Sequence, residues 1–228
     1  MSGRTFLESF KSVVQSKSGE SLRRAYSGNK TWTNRMKSLL RETCDTMNES
    51  AHLARHWDYY AENYTIDHTF SSGRGCSFGA FKDKTRWYPS CVELLVEVEN
   101  GNWPEEEIWK LAHWRAPVKA LFFCDYKEVA RNTNKRRDWL KTKLDSFSEF
   151  LRDVNQHHEE DESTRYYIFV TDVPSRPKKD LRWHVYVMKP DGILENRARA
   201  CFSLSGKAKK AFVKCAFDGH AGDPRQAR

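Results

Sequence analysis

Carboxylates stand in this chain where an apolar strand does not ordinarily accommodate them. Residues 91–100 read CVELLVEVEN. Side chains alternate along a β-strand, so Glu93, Leu95, Glu97 and Glu99 share one face, and Val92, Leu94, Val96 and Val98 share the other. Upstream, Asp67 stands inside YTIDHTF, a second run of β-branched and aromatic residues. An unpaired buried carboxylate is costly, and a divalent cation is a common remedy. Mg²⁺ and Mn²⁺ are hard cations that take oxygen ligands, often one or two carboxylates completed by substrate phosphate oxygens. Such an ion lowers the pKa of a bound water and stabilises charge developing on a phosphodiester. The chemistry open to Asp67, Glu97 and Glu99 is therefore metal-assisted phosphodiester hydrolysis. The ordinary alternative is a wet strand face whose glutamates pair with Lys or Arg.

Other reactive side chains offer less. His52 and His56 have the four-residue spacing of a helical zinc pair, but no third ligand in register accompanies them. His68 adjoins Asp67 and points to the opposite face, which suits a structural role. His113 falls near a helix end, where an imidazolium suits the helix dipole. No P-loop, G-x-G-x-x-G or G-x-S-x-G is present, which argues against nucleotide-binding folds and α/β-hydrolases.

The elements that must position these groups follow from apolar periodicity. Phe6, Phe10, Val13 and Val14 recur at helical spacing over residues 4–16, and residues 20–26 can form a second short helix. A longer helix is expected over 32–49, with Trp32, Met36, Leu39, Leu40 and Met47 on one face and Thr31 or Thr33 as cap. Strands are expected at 64–70, 76–81 and 91–100. A helix then opens at Pro104 with acids in its first turn and runs to about Trp114. The unbroken apolar run APVKALFFCDY predicts a buried strand. A long helix is expected near 134–156, then the strands RYYIFVTDV and LRWHVYVM, a KPDG turn, and a last helix around KAKKAFVKCA. The order predicts a mixed central β-sheet flanked by helices, α/β or α+β, with residues 1–30 as an N-terminal helical extension and 31–228 as one domain.

The 228 residues carry a net charge of +8, unevenly spread. Residues 1–40 and 197–228 each hold eight Lys/Arg against two Asp/Glu, so each end is +6 and the middle is −4. Basic ends around an acidic centre suit a polyanion gathered about a metal site, and equally suit solvated termini. Lys135, Arg136 and Arg137 open the long helix, and Lys207, Lys209 and Lys210 lie in the last one; all six are candidate phosphate contacts. The six cysteines form no C-x-x-C pair, and Cys91 and Cys124 sit in apolar runs as small core residues. The start of the chain lacks an apolar signal core and no run is long enough to span a membrane, so an intracellular, reducing, cytoplasmic setting without membrane contact is expected.

The sequence I-D-H-T-F, followed by L-L-V-E-V-E-N, an acid-opened helix and a buried strand, resembles the PD-(D/E)XK nuclease superfamily, the restriction-endonuclease-like fold. The resemblance covers about residues 32–125. It implies a core of helix, three-stranded antiparallel meander, helix and further strand, with the first acid on the second strand and the second acid on the third. Carried over, Asp67 and Glu97 would hold Mg²⁺ or Mn²⁺ together with the Val98 carbonyl. Glu99 stands where the family usually has Lys, as in the minority of restriction enzymes with E-x-E, and would orient or deprotonate the attacking water. Lys110, on the following helix, is a candidate substitute for the lysine, against the ordinary reading of a solvated helix lysine. Glu42 and Glu49 are candidates for the glutamate the family often adds on its first helix, although both fall away from that helix's apolar side. The implied activity is metal-dependent endonucleolytic cleavage of nucleic acid, DNA favoured, in a family where homodimers are common. The alternative from a different class is a non-catalytic nucleic-acid- or protein-binding module on the same fold.

Overall fold

The computed structural model describes residues 3–16, 29–50, 56–63, 65–72, 91–99, 103–124, 133–171, 182–195 and 200–203. The chain runs α1 (Gly3–Ser16), α2 (Asn29–Ser50), β1 (Asp58–Asn63), β2 (Ile66–Ser71), β3 (Val92–Val98), α3 (Pro104–His113), β4 (Val118–Cys124), α4 (Thr133–His157), β5 (Arg165–Thr171), β6 (Arg182–Met188) and β7 (Ala200–Ser203). Seven strands form one mixed sheet in sequence order. β1, β2 and β3 pair antiparallel as a meander; β3, β4 and β5 are parallel neighbours; β6 and β7 return antiparallel. Parallel neighbours need a crossover, and α3 and α4 supply the two. The class is mixed α/β.

Helices cover both faces. Phe6, Phe10 and Val14 of α1 and Trp32, Met36, Leu40 and Met47 of α2 pack on the face showing Phe70, Leu94, Val96, Ala120, Phe122, Phe169 and Trp183. Ile108 and Leu111 of α3 and Leu140, Leu144, Phe147 and Leu151 of α4 pack on the other, with Leu95, Leu121, Phe123, Ile168 and Val170. α1, expected as an extension, is thus built into the core: Phe10 meets the rings of Phe6, Phe122, Phe169 and Trp183.

Sequence reasoning missed β1. DYYAEN has no clean alternation, and its strand state comes from pairing with β2, where Tyr60 faces Thr69 and Ala61 faces His68. The start of β1 is tied to α2 by Asn48, whose side chain accepts the Trp57 N–H at 2.7 Å and donates to the Trp57 carbonyl at 2.9 Å. His56 lies in this junction rather than on a helix, 3.6 Å from Asp58. The expected strand at 76–81, the short helix at 20–26, His52 and the last helix lie outside the described residues.

Cys91 is exposed and is not the core residue expected, whereas Cys124 is half-buried and packs against the core. Cys91 precedes β3 with φ at 77°, a left-handed conformation that turns the chain into the strand. The KPDG turn is present: the Gly192 N–H donates to the Lys189 carbonyl at 3.0 Å, and Gly192 takes φ of 79° against the Ser148 carbonyl, where a side chain would not fit. Among the described residues, no helix is long and apolar enough to cross a membrane.

Candidate metal centre

The antiparallel register of β2 and β3 sets His68 opposite Val96 and Thr69 opposite Leu95. One step further along that ladder brings Asp67 opposite Glu97, with both side chains on the Leu95 face. That face belongs to α3, because Leu95 packs with Ile108 and Leu111. A solvated face is therefore not what β3 presents at this position: Glu97 is 0 % exposed. Asp67, half-buried, is oriented by the Val98 N–H, which donates to its Oδ2 at 2.9 Å. A strand residue points its N–H and C=O to the same side, so the Val98 carbonyl is turned toward the β2 flank as well.

Neither carboxylate oxygen of Glu97 receives a hydrogen bond. Burial is the first reason its carboxyl is pushed up to about 10, followed by the charge of Asp67 and by Glu107, a residue of α3; Lys110 works the other way. As two carboxylates, Glu97 and Glu107 have no proton to share; with one on Glu97 they form an acid–carboxylate hydrogen bond. Lys110 donates to both oxygens of Glu107, at 3.0 and 2.7 Å. Burial pulls the Lys110 ammonium down, but the Glu107 hydrogen bonds and the charges of Glu97, Glu107 and Asp67 outweigh it and hold the group above its ordinary value. Three carboxylates and one ammonium, from β2, β3 and α3, thus share one electrostatic centre.

Sequence reasoning singled out Asp67 and Glu97 and kept Lys110 as a candidate, and the three groups interact in the fold. It missed Glu107, which reads as a first-turn acid suited to the helix dipole. Its three-residue spacing to Lys110, on the helix just after the E-x-E strand, was the available signal. Glu99 follows the end of β3, half-buried, its N–H donating to the Phe122 carbonyl at 2.8 Å. Glu93 is half-buried and accepts from Ser72 Oγ at 2.5 Å. Glu42 accepts from Ser38 within α2, which covers the opposite face of the sheet from Glu97. His68 points to that opposite face and holds a 2.8 Å hydrogen bond with the Tyr59 hydroxyl, a structural contact.

Because β4 runs parallel to β3, the chain leaves β4 at the end of the sheet where Glu97 lies, and α4 begins at that end. Lys135 and Arg137 are exposed there, with Arg136 half-buried between them. Lys207, Lys209 and Lys210 lie outside the described residues.

A second buried polar group lies on the same sheet face. Lys119 of β4 is 0 % exposed, ion-paired with Glu160 and 3.0 Å from the Tyr166 hydroxyl, which donates to Glu160 at 2.6 Å. Burial pulls the Lys119 ammonium down, opposed by Glu160. Every member is satisfied, so the triad ties the loop after α4 to the sheet.

Among the described residues, no group of three or more His, Cys, Asp and Glu side chains is placed to hold a metal ion. Asp67 and Glu97 are two carboxylates, which suits Mg²⁺, an ion commonly held by one or two carboxylates plus waters and substrate phosphate rather than by an all-protein cage. The unbonded, buried oxygens of Glu97 fit such a ligand set. No family model matches the chain, and no curated protein or solved structure matches it either.

Proposed function

We propose that the protein is a metal-dependent nuclease of the PD-(D/E)XK type, acting on a nucleic-acid phosphodiester, DNA in preference. The observation that carries the reading is Glu97: fully buried, set across the ladder from Asp67, and with no donor to its carboxylate oxygens other than a proton shared with Glu107. A carboxylate so placed costs stability unless something neutralises it. The architecture supports the same reading, since α2, the β1–β2–β3 meander, α3 and a parallel β4 follow the order of that superfamily's core, with Asp67 on the second strand and Glu97 on the third.

Asp67, Glu97 and the Val98 carbonyl would hold Mg²⁺ or Mn²⁺. When bound, the ion would supply Lewis-acid stabilisation of charge on the phosphate and a more acidic water. The chain's own residues do the rest. The Val98 N–H fixes the Asp67 carboxylate. Glu99 orients the attacking water and accepts its proton. Lys110 carries positive charge beside the carboxylates, where it offsets negative charge growing on the phosphate. Lys135, Arg136 and Arg137, at the same end of the sheet, contact flanking phosphates.

Calorimetry of Mn²⁺ binding to wild type and Asp67→Ala, with cleavage assays on DNA and RNA, tests the proposal. The expected result is one site in wild type, its loss in Asp67→Ala, and cleavage only when metal is present. A wild type that binds no Mn²⁺, or cleavage unchanged in Asp67→Ala, overturns it and leaves a non-catalytic module on this fold.

A further inference from the structure

Resting on that reading, we propose that Glu107 is a positioning residue, whose two hydrogen bonds hold the Lys110 ammonium beside Asp67 and Glu97 so that the cation meeting the substrate phosphate comes from α3 and not from β3. On an exposed helix a pair three residues apart contributes little and leaves the lysine mobile. This pair is different. The Glu107 and Lys110 side chains are only 12 % and 24 % exposed, and both Glu107 oxygens are engaged.

The place of the pair explains why it is needed. Position 99, just past β3, is Glu, so β3 and the residue after it offer three carboxylates, Glu93, Glu97 and Glu99, and no cation. A lysine on α3 must lie over the strand, and its four-carbon stem allows many other positions. Left alone among Asp67 and Glu97, the ammonium would settle onto those carboxylates and compete with a metal for them. Glu107 gives it a fixed partner on its own helix, leaving the third ammonium proton for a phosphate oxygen. Lysine remains protonated in this role, and no bond forms or breaks at it. Small displacements of such a group are expensive in rate, about a hundredfold for roughly 1 Å.

The test compares wild type with Glu107→Gln, Glu107→Asp, Lys110→Ala, Lys110→Arg and the double variant Lys110→Ala/Glu107→Gln. Three quantities are measured: the Mn²⁺ dissociation constant, the single-turnover cleavage rate at saturating Mn²⁺, and acylation of Lys110 by acetic anhydride in the metal-free protein. Glu107→Gln is expected to slow cleavage about tenfold or more while leaving Mn²⁺ affinity within about threefold of wild type. The double variant is expected to be no slower than Lys110→Ala, because the two residues act as one unit. Lys110→Arg restores part of the rate, and Glu107→Asp, shorter by one methylene, does not restore the wild-type rate. In the metal-free protein Lys110 is acylated about tenfold more slowly than exposed Lys135, and Glu107→Gln removes that protection.

Tenfold weaker Mn²⁺ binding in Glu107→Gln makes Glu107 a metal ligand and overturns the inference. Multiplicative effects of the two substitutions, a Lys110→Ala loss below about tenfold, or equal acylation of Lys110 and Lys135 also overturn it. A wild type that neither binds Mn²⁺ nor cleaves nucleic acid overturns the nuclease reading itself, and this inference with it.

Discussion

At the scale of single residues, the decisive group is one carboxyl. Glu97→Gln keeps the shape of a side chain that is completely buried and, like the proton the metal-free carboxyl holds beside Asp67 and Glu107, leaves it neutral while taking away the anionic ligand. The expected outcome is loss of metal-dependent cleavage with a melting temperature equal to or slightly above that of metal-free wild type, checked by a cleavage assay and differential scanning calorimetry. Wild-type cleavage in Mg²⁺ would remove Glu97 from the site. Cysteines provide a second residue-scale check. Burial first, then the charges of Asp45 and Asp58, push the Cys44 thiol up to about 12, and its Sγ donates to the Trp57 carbonyl at 3.2 Å. A thiol whose folded-state pKa lies above its ordinary 9.0 holds its proton on folding, so its contribution to stability falls as pH rises from about 9 toward 12. At pH 8 iodoacetamide is expected to label exposed Cys91 at least about a hundredfold faster than Cys44, with sites resolved by mass spectrometry. Comparable labelling would show that α2 opens readily at its junction with β1.

At the scale of elements, α1 and α3 do the positioning, on opposite faces. α3 begins where β3 ends and lays Ile108 and Leu111 against Leu95, which brings Glu107 and Lys110 to Glu97. Lys143 of α4 reaches Glu105 across the helix pair, so the first turn of α3 is tied at its side. α1 supports the other face, and Phe10 is its anchor among four aromatic rings. Phe10→Ala is expected to destabilise the protein by about 3–5 kcal/mol, the range for a buried phenylalanine truncated in a packed core. Urea denaturation measures it. A loss under about 1 kcal/mol would mean that residues 1–30 are the separable extension that the sequence suggested.

At the scale of the whole molecule, charge sorts by position along the chain. The ends carry +6 each and the centre −4, with Lys135, Arg136 and Arg137 opening α4 at the carboxylate end of the sheet. A nucleic acid bridging these groups displaces condensed counterions, each contributing about 0.9 to the slope of log K against log salt on duplex DNA. Binding to DNA, measured by fluorescence anisotropy in Ca²⁺, is expected to fall steeply between about 50 and 200 mM salt. Replacing Lys135, Arg136 and Arg137 by Ala should lower the slope by up to about three. A flat dependence would leave the basic segments as solubility features.

The alternation of VELLVEV, the 3.6-residue pattern of α1, α2 and α4, and the acid-opened start of α3 are properties of consecutive residues. They were legible before any contact was known, as was the shared face of Glu93, Leu95, Glu97 and Glu99. Asp67 and Glu97 could be singled out because carboxylates inside apolar runs violate the local pattern. What alternation could not decide is whether that face meets water or a helix. Glu93 is half-buried beside Ser72 and Glu97 is dry beneath α3, two residues apart on one strand. The difference is made by where a crossover helix docks. β1 was hidden for the same reason, since its strand state comes from the ladder with β2 rather than from its own pattern. Glu107 meets Glu97 only after the chain has turned from β3 into α3; its three-residue spacing to Lys110 marks a helix ion pair in the sequence, but not which strand carboxylate, ten residues back, that pair will face. Sequence periodicity selects the face of an element; burial of a charge depends on which other element comes to cover it.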